Sequence, residues 1–195
     1  MLASGSETVY KRLAAMLSEF DILRDVASRL ERAEIPYMLT GSVAMNYYSQ
    51  PRMTRDIDLV LSLHANDGDT IVALFENDYY VDRVAVARAI ANESLFNLIH
   101  NDAIIKVDCI IRKNSEYRRV EFERRRQVVI QHSKVSIVTK EDLIISKLFW
   151  ARDSHSEFQL RDVKNLLASG YDAEYLERWI RNLSLDELLK ECLHE

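Results

Sequence analysis

Apolar and polar positions along the chain switch repeatedly between a helical and an extended period. Over residues 6–33, Leu13, Met16, Leu17, Phe20, Leu23, Val26, Ala27 and Leu30 recur at helical spacing and predict an amphipathic helix with a break near Phe20. Residues 36–39 predict a short strand that ends at Thr40-Gly41-Ser42, and 43–49 a helix with Ser42 near its start and Pro51 beyond its end. A strand follows over 57–63, a polar turn over 65–68 and a helix over 69–77. Residues 79–81 read as extended and 85–91 as a short helix, while 95–100 and 103–111 form a hairpin across Asn101-Asp102. The segment 115–126 reads as a basic helix, and 128–132 and 135–138 as two short strands. From Lys140 onward every periodic segment is helical: 141–151, 157–169 (ended by Gly170), 173–182 and 185–193.

This succession predicts an α+β fold: a mixed core over residues 1–139 that includes the N-terminal helix, and a helical C-terminal subdomain over 140–195. A length of 195 residues with 48% hydrophobic content suits one such unit and excludes disorder. Four glycines and two prolines are too few for a sandwich of many tight turns. Cys109 and Cys192 supply neither a disulfide framework nor a zinc site, and Cys109 falls in an apolar run where a buried thiol is expected. Charged residues interrupt the first thirty positions, so no signal peptide is expected there. No apolar stretch approaches the roughly 20 residues of a membrane span. A cytoplasmic protein without a membrane partner is the expectation. The net charge of −5 gives no overall attraction to nucleic acid.

The chemistry concentrates in Arg52-Met-Thr-Arg55-Asp56-Ile-Asp58-Leu. Alternation along a strand places Asp56 and Asp58 on one face and Ile57 and Leu59 on the other. Adjacent carboxylates repel, and a divalent cation between them reverses the sign; oxygen-only ligands suit Mg²⁺. Gly41-Ser42 closes a strand and opens a helix, where free N–H groups and a hydroxyl are offered to phosphate. Lys106-Val-Asp108 sets a third carboxylate in an otherwise apolar strand, which calls for a basic partner or a metal.

Gly41-Ser42, a gap over 43–55, Asp56-Ile-Asp58 and a later-strand Asp108 together resemble the signature of the nucleotidyltransferase superfamily, the fold of DNA polymerase beta. Further on, Glu141-Asp-Leu-Ile-Ile-Ser-Lys147 and Leu160-Arg161-Asp162 are similar to the C-terminal motif of AbiE-type toxin nucleotidyltransferases. The resemblance implies a mixed sheet flanked by helices. It also implies transfer of a nucleotide from a nucleoside triphosphate to an acceptor hydroxyl on RNA or protein, with a cognate antitoxin as partner. By the same resemblance Asp56, Asp58 and Asp108 hold two Mg²⁺ ions, and Asp108 serves as general base. Gly41 and Ser42 would then hold the β and γ phosphates, and Lys147 would neutralise the triphosphate.

Several residues carry two readings. Arg52 and Arg55 either reach phosphate or pair with surface acids. Asp162 either orients Lys147 or a base, or is a helix charge paired with Arg161 or Lys164. His100 is expected to be a loop residue. The seven basic residues Arg112, Lys113, Arg118, Arg119, Arg124, Arg125 and Arg126 either face an RNA acceptor or form a solvated helix. Two other functions fit the same residues: a small-acceptor enzyme of the aminoglycoside nucleotidyltransferase kind, and a catalytically silent nucleotide- or partner-binding module.

Overall fold

The computed structural model describes residues 17–194 apart from Gln50, Arg52, Arg55 and His155. Helix α1 (Glu19–Arg32) begins at Ser18. The Ser18 hydroxyl accepts from the Asp21 N–H at 3.2 Å, and the Asp21 carboxylate accepts the Ser18 N–H at 3.0 Å. This cap sets the start where the sequence pattern placed a break; the portion of the expected helix before residue 17 lies outside the described residues. Ile22, Leu23, Val26, Ala27 and Leu30 form its buried stripe.

Among the described residues seven strands form one mixed sheet: β1 (Tyr37–Thr40), β2 (Asp56–Leu61), β3 (Tyr79–Tyr80), β4 (Leu95–His100), β5 (Lys106–Ile111), β6 (Arg126–Ile130) and β7 (Ser133–Ile137). Their order is β3-β4-β5-β2-β1-β7-β6. β2 runs antiparallel to β1 and parallel to β5, and β1 runs parallel to β7. Helices α2 (Gly41–Tyr48), α3 (Gly68–Phe75) and α4 (Arg83–Ala91) connect the first four strands, and α5 (Glu116–Glu123) precedes β6. The polar turn before α3 is a short 3-10 turn, Ala65–Asp67. The tail forms α6 (Lys140–Ser154), α7 (Glu157–Leu167), α8 (Ala173–Asn182) and α9 (Asp186–His194). None of the described helices is long and apolar enough to cross a membrane.

Register explains how the sheet carries both core and chemistry. Ile57, Leu59 and Leu61 are buried on one face of β2, opposite Val107, Cys109 and Ile111 of β5. Each such side chain contributes about 1.5–3 kcal/mol by leaving water. The alternate positions leave the other face to Asp56, Asp58 and Val60 and to Lys106, Asp108 and Ile110. Helix α2 packs against β1, β2 and α6, which closes that second face at the β1 side.

Helix α6 is enclosed nearly all round. Leu143, Ile144, Ile145, Leu148 and Ala151 are buried together with the polar Asp142, Ser146 and Lys147. Asp142 accepts from Tyr175 Oη at 2.6 Å, Arg124 Nε at 3.1 Å and Tyr117 Oη at 3.3 Å, with Thr139 as a further donor. Those donors satisfy a carboxylate that would otherwise cost several kcal/mol to bury.

The same contacts revise the picture of the basic segment. Arg118 pairs with buried Glu121 at 2.7 Å and bonds Ser146 Oγ at 2.6 Å. Arg124 lies over the Tyr175 ring while bonding Asp142, Arg125 donates to the Phe122 carbonyl, and Arg126 donates to Tyr48 Oη. Arg112 donates to Ser62 Oγ. Five of the seven basic side chains are therefore engaged with other groups of the fold. The helix is also shorter than expected, ending at Glu123, and Arg126 already belongs to β6. His100 is likewise not a loose loop residue: it is buried at the end of β4, and its Nδ1 accepts the backbone N–H groups of Asp102 and Ala103.

Candidate active site

Four neighbouring strands place one residue each in a line across the open face of the sheet. Asn97 of β4 is opposite Asp108 of β5, Asp108 opposite Asp58 of β2, and Asp58 opposite Thr40 of β1. Asp56 lies in the next row, opposite Lys106. Because strand side chains alternate, this register puts all three predicted carboxylates on one surface.

Gly41 brings the phosphate-type turn against this row. Its φ is +64°, and a Cβ built there would lie 1.9 Å from Asp58 Oδ2. Only glycine permits both the left-handed turn and that approach. The consequence is contact between the start of α2 and Asp58, whose carboxylate accepts the Ser42 backbone N–H. Burial pushes the Asp58 carboxyl up to about 6, and the charges of Asp108 and Asp56 push the same way, against the Ser42 bond and the field of Lys147.

Asp108 has both oxygens engaged. Oδ1 accepts from the Asn97 side-chain amide, and Oδ2 is 3.0 Å from Lys106 Nζ. The same ammonium is 3.7 Å from Asp56 Oδ1 and is held above its usual range, chiefly by its bond to Asp108. The expected basic partner of Asp108 is thus its neighbour two residues back.

Across the cavity, Lys147 projects from α6 and is almost fully buried. Its Nζ lies 2.7 Å from Asp162 Oδ2 and 3.2 Å from Gln159 Oε1, both on α7. Between the two expected readings of Asp162, the geometry is the one that orients Lys147. A cavity of about 90 Å³ separates these elements; Gly41, Ser42 and Asp58 line one side, and Lys147, Gln159 and Trp150 the other. Leu143, Lys147 and Trp150 share one face of α6 at helical spacing. Ser146 also lines the cavity, and its Oγ donates to Glu121 Oε1 at 2.6 Å and accepts from Arg118, fixing the helix that presents Lys147.

The structure therefore gathers Gly41, Ser42, Asp58 and Lys147 around one cavity, with Asp162 behind Lys147 and with Asp108 and Asp56 beside Asp58. Arg52 and Arg55 lie outside the described residues. Asn97, Gln159 and Trp150 carry no signal of their own in the sequence. Lys106 did carry one, since a lysine two residues before Asp108 in a strand must share its face. The donor set suits a hard divalent cation, being carboxylate oxygen throughout, and the mutual repulsion that raises Asp58 is what such an ion relieves. Among the described residues no group of three His, Cys, Asp or Glu side chains yet closes on a single point, and Lys106 stands between Asp56 and Asp108.

Solved structures share this architecture. A nucleotidyltransferase-like antigenic protein from Paracoccidioides brasiliensis matches with TM-score 0.55 at 17% identity, over 87% of this chain and 90% of that one. The antibiotic-resistance factor ANT(2'')-Ia, solved in complex with adenylyl-2''-tobramycin, matches with TM-score 0.55 at 14% identity, over 89% and 97%. The lincosamide antibiotic adenylyltransferase LnuA, bound to lincomycin, matches with TM-score 0.51 at 16% identity, over 74% and 94%. No protein-family profile and no curated sequence matches the chain. At these identities the likeness is one of fold: the chain has a nucleotidyltransferase-like fold, as its sequence motifs implied.

Proposed function

We propose that this protein is a Mg²⁺-dependent nucleotidyltransferase that moves a nucleoside monophosphate from a nucleoside triphosphate to an acceptor hydroxyl. The observation that carries the reading is the convergence of Asp58 and the Gly41-Ser42 turn with Lys147 across one cavity, with Asp108 in register beside Asp58. Gly41 and Ser42 present the positive end of α2 to phosphate oxygens. Lys147, clamped by Asp162 and Gln159, places an ammonium opposite that end and offsets the charge of the triphosphate.

Asp56, Asp58 and Asp108 are the ligands available to magnesium, which when bound supplies Lewis-acid stabilisation of the transferring phosphate. Asp108 is the general base for the acceptor hydroxyl: it stands at the outer end of the carboxylate row, and Asn97 fixes its orientation. Proton removal there makes the attacking oxygen, and pyrophosphate leaves from the Lys147 side.

The AbiE-type pattern of Lys147 and Arg161-Asp162 supports an RNA or protein acceptor, and with it a toxin role countered by an antitoxin. A second reading, a small hydroxylated acceptor, is favoured by one observation. Five of the seven basic residues that would face RNA are engaged within the fold. The two fold neighbours that act on antibiotics support it as well.

Binding of each nucleoside triphosphate with Mg²⁺, measured by calorimetry on wild type and Asp58→Ala, tests the site. Loss of binding in the variant supports it, and equal binding refutes it. Incubation with labelled triphosphate and separate pools of RNA, protein and aminoglycoside or lincosamide acceptors then separates the two readings. Growth arrest on expression, relieved by a neighbouring gene, would add the toxin role.

A further inference from the structure

Lys106 has no part in the nucleotide chemistry just described, yet it sits at the centre of the carboxylates that chemistry needs. The parallel pairing of β2 with β5 sets it opposite Asp56, while Asp108, two residues on, faces Asp58. Its ammonium bridges the two strands, 3.0 Å from Asp108 Oδ2 and 3.7 Å from Asp56 Oδ1. Asn97 occupies the remaining oxygen of Asp108. Asp108 therefore has no free oxygen while Lys106 stays in place.

We infer that Lys106 is a built-in counter-ion of the carboxylate row, which a divalent cation must displace from Asp108 and Asp56 before both can serve as ligands. The inference rests on reading these carboxylates as a metal site.

Three observations carry it. The cation demand is real, because three carboxylates crowd one face of adjacent strands and the Lys106 ammonium offsets part of their repulsion. The displacement is inexpensive, because the Lys106 side chain is 40% exposed and ends a flexible four-carbon stem that can swing into water. Finally, the two donors on Asp108 differ in kind. Asn97 is neutral and holds Oδ1, so it leaves the charge of the carboxylate to attract a metal. Lys106 is charged and holds Oδ2, and it also reaches Asp56, so it competes with the metal directly.

Lys106 thus keeps the row assembled without a metal and lowers its affinity for one. The uncharged variant Lys106→Met isolates this effect, read as Mn²⁺ binding by electron paramagnetic resonance on the whole chain without nucleotide. The expected result is tighter Mn²⁺ binding in the variant, by up to about fivefold for loss of a competing, partly exposed ion pair. A lower melting temperature without metal, recovered on adding Mn²⁺, should accompany it. Unchanged or weaker Mn²⁺ binding in Lys106→Met overturns the inference alone when Asp58→Ala loses the binding that the wild type shows. Undiminished binding in Asp58→Ala overturns the metal reading and the inference with it. If neither wild type nor Lys106→Met binds Mn²⁺, the metal reading itself fails and the inference with it. Binding by Lys106→Met alone supports both.

Discussion

Replacing Gly41 with alanine puts a methyl group where the Asp58 carboxylate already stands. The built Cβ lies 1.9 Å from Oδ2, 2.6 Å from Cγ and 2.9 Å from Cβ of Asp58. A shift of a few tenths of an ångström does not relieve the first two contacts, so the carboxylate must rotate away and lose the Ser42 N–H. Losing a hydrogen bond at a largely buried acceptor costs about 1–3 kcal/mol. The left-handed backbone at φ +64° adds about 1–2 kcal/mol for any residue with a Cβ. Together Gly41→Ala should cost about 2–5 kcal/mol, or about 5–15 °C of melting temperature in a domain of this size.

The contact-specific part is separable by a double-mutant cycle. Asp58→Ala removes Oδ2 and Cγ and leaves only the 2.9 Å contact. In that background Gly41→Ala should cost little beyond the left-handed term, a coupling of about 1–3 kcal/mol. Urea unfolding of the four proteins measures it. Additivity within about 0.5 kcal/mol would refute the claim that Gly41 is required by its approach to Asp58.

Asp162→Ala leaves the Lys147 ammonium buried without its carboxylate and should cost about 3–5 kcal/mol in urea unfolding, while Lys147→Met with Asp162→Leu should recover most of that. An equal loss in the double variant would contradict the buried-pair account. Asp58 titrates near 6 in the fold, against about 3.9 in an unfolded chain, so its protonated form favours folding. That contribution is complete below about pH 4 and is lost as pH rises through about 6, a swing of about 2–3 kcal/mol. Asp58→Asn should therefore be the more stable protein at pH 7.5 without metal and lose its advantage near pH 4; a constant difference across that range would count against it. Arg118→Ala strands buried Glu121 and should cost about 3 kcal/mol, whereas exposed Arg119→Ala should stay within about 0.5 kcal/mol. Similar losses for both would mean the segment is not divided into inward and outward faces.

The carboxylate face of β2 was legible because a strand has a period of two: Asp56-Ile-Asp58-Leu states its own orientation. Gly41 was legible as a turn, but its approach to Asp58 depends on the antiparallel register of β1 with β2, which residue spacing along one strand does not encode. Asn97 and Gln159 were silent for the same reason, since each acquires its role only through a cross-strand or cross-helix neighbour. The basic segment misled because a run of arginines between glutamates reads as a solvated face. Its true partners, Asp142, Tyr175 and Ser146, lie on helices at least eighteen residues further along. Helix α6 shows the limit most clearly: residue spacing gives no sign that polar Asp142, Ser146 and Lys147 are all buried and paired.

The central claim is transfer of a nucleotidyl group, and the position of the label decides it. Incubation with Mg²⁺ and a triphosphate labelled at the α phosphate should mark an RNA, protein or small hydroxylated acceptor, with release of unlabelled pyrophosphate. The γ-labelled triphosphate should mark only the pyrophosphate, and Asp58→Asn and Asp108→Asn should mark nothing. Transfer of the γ label to the acceptor, or α label that stays in free nucleotide with every acceptor pool, would contradict the account.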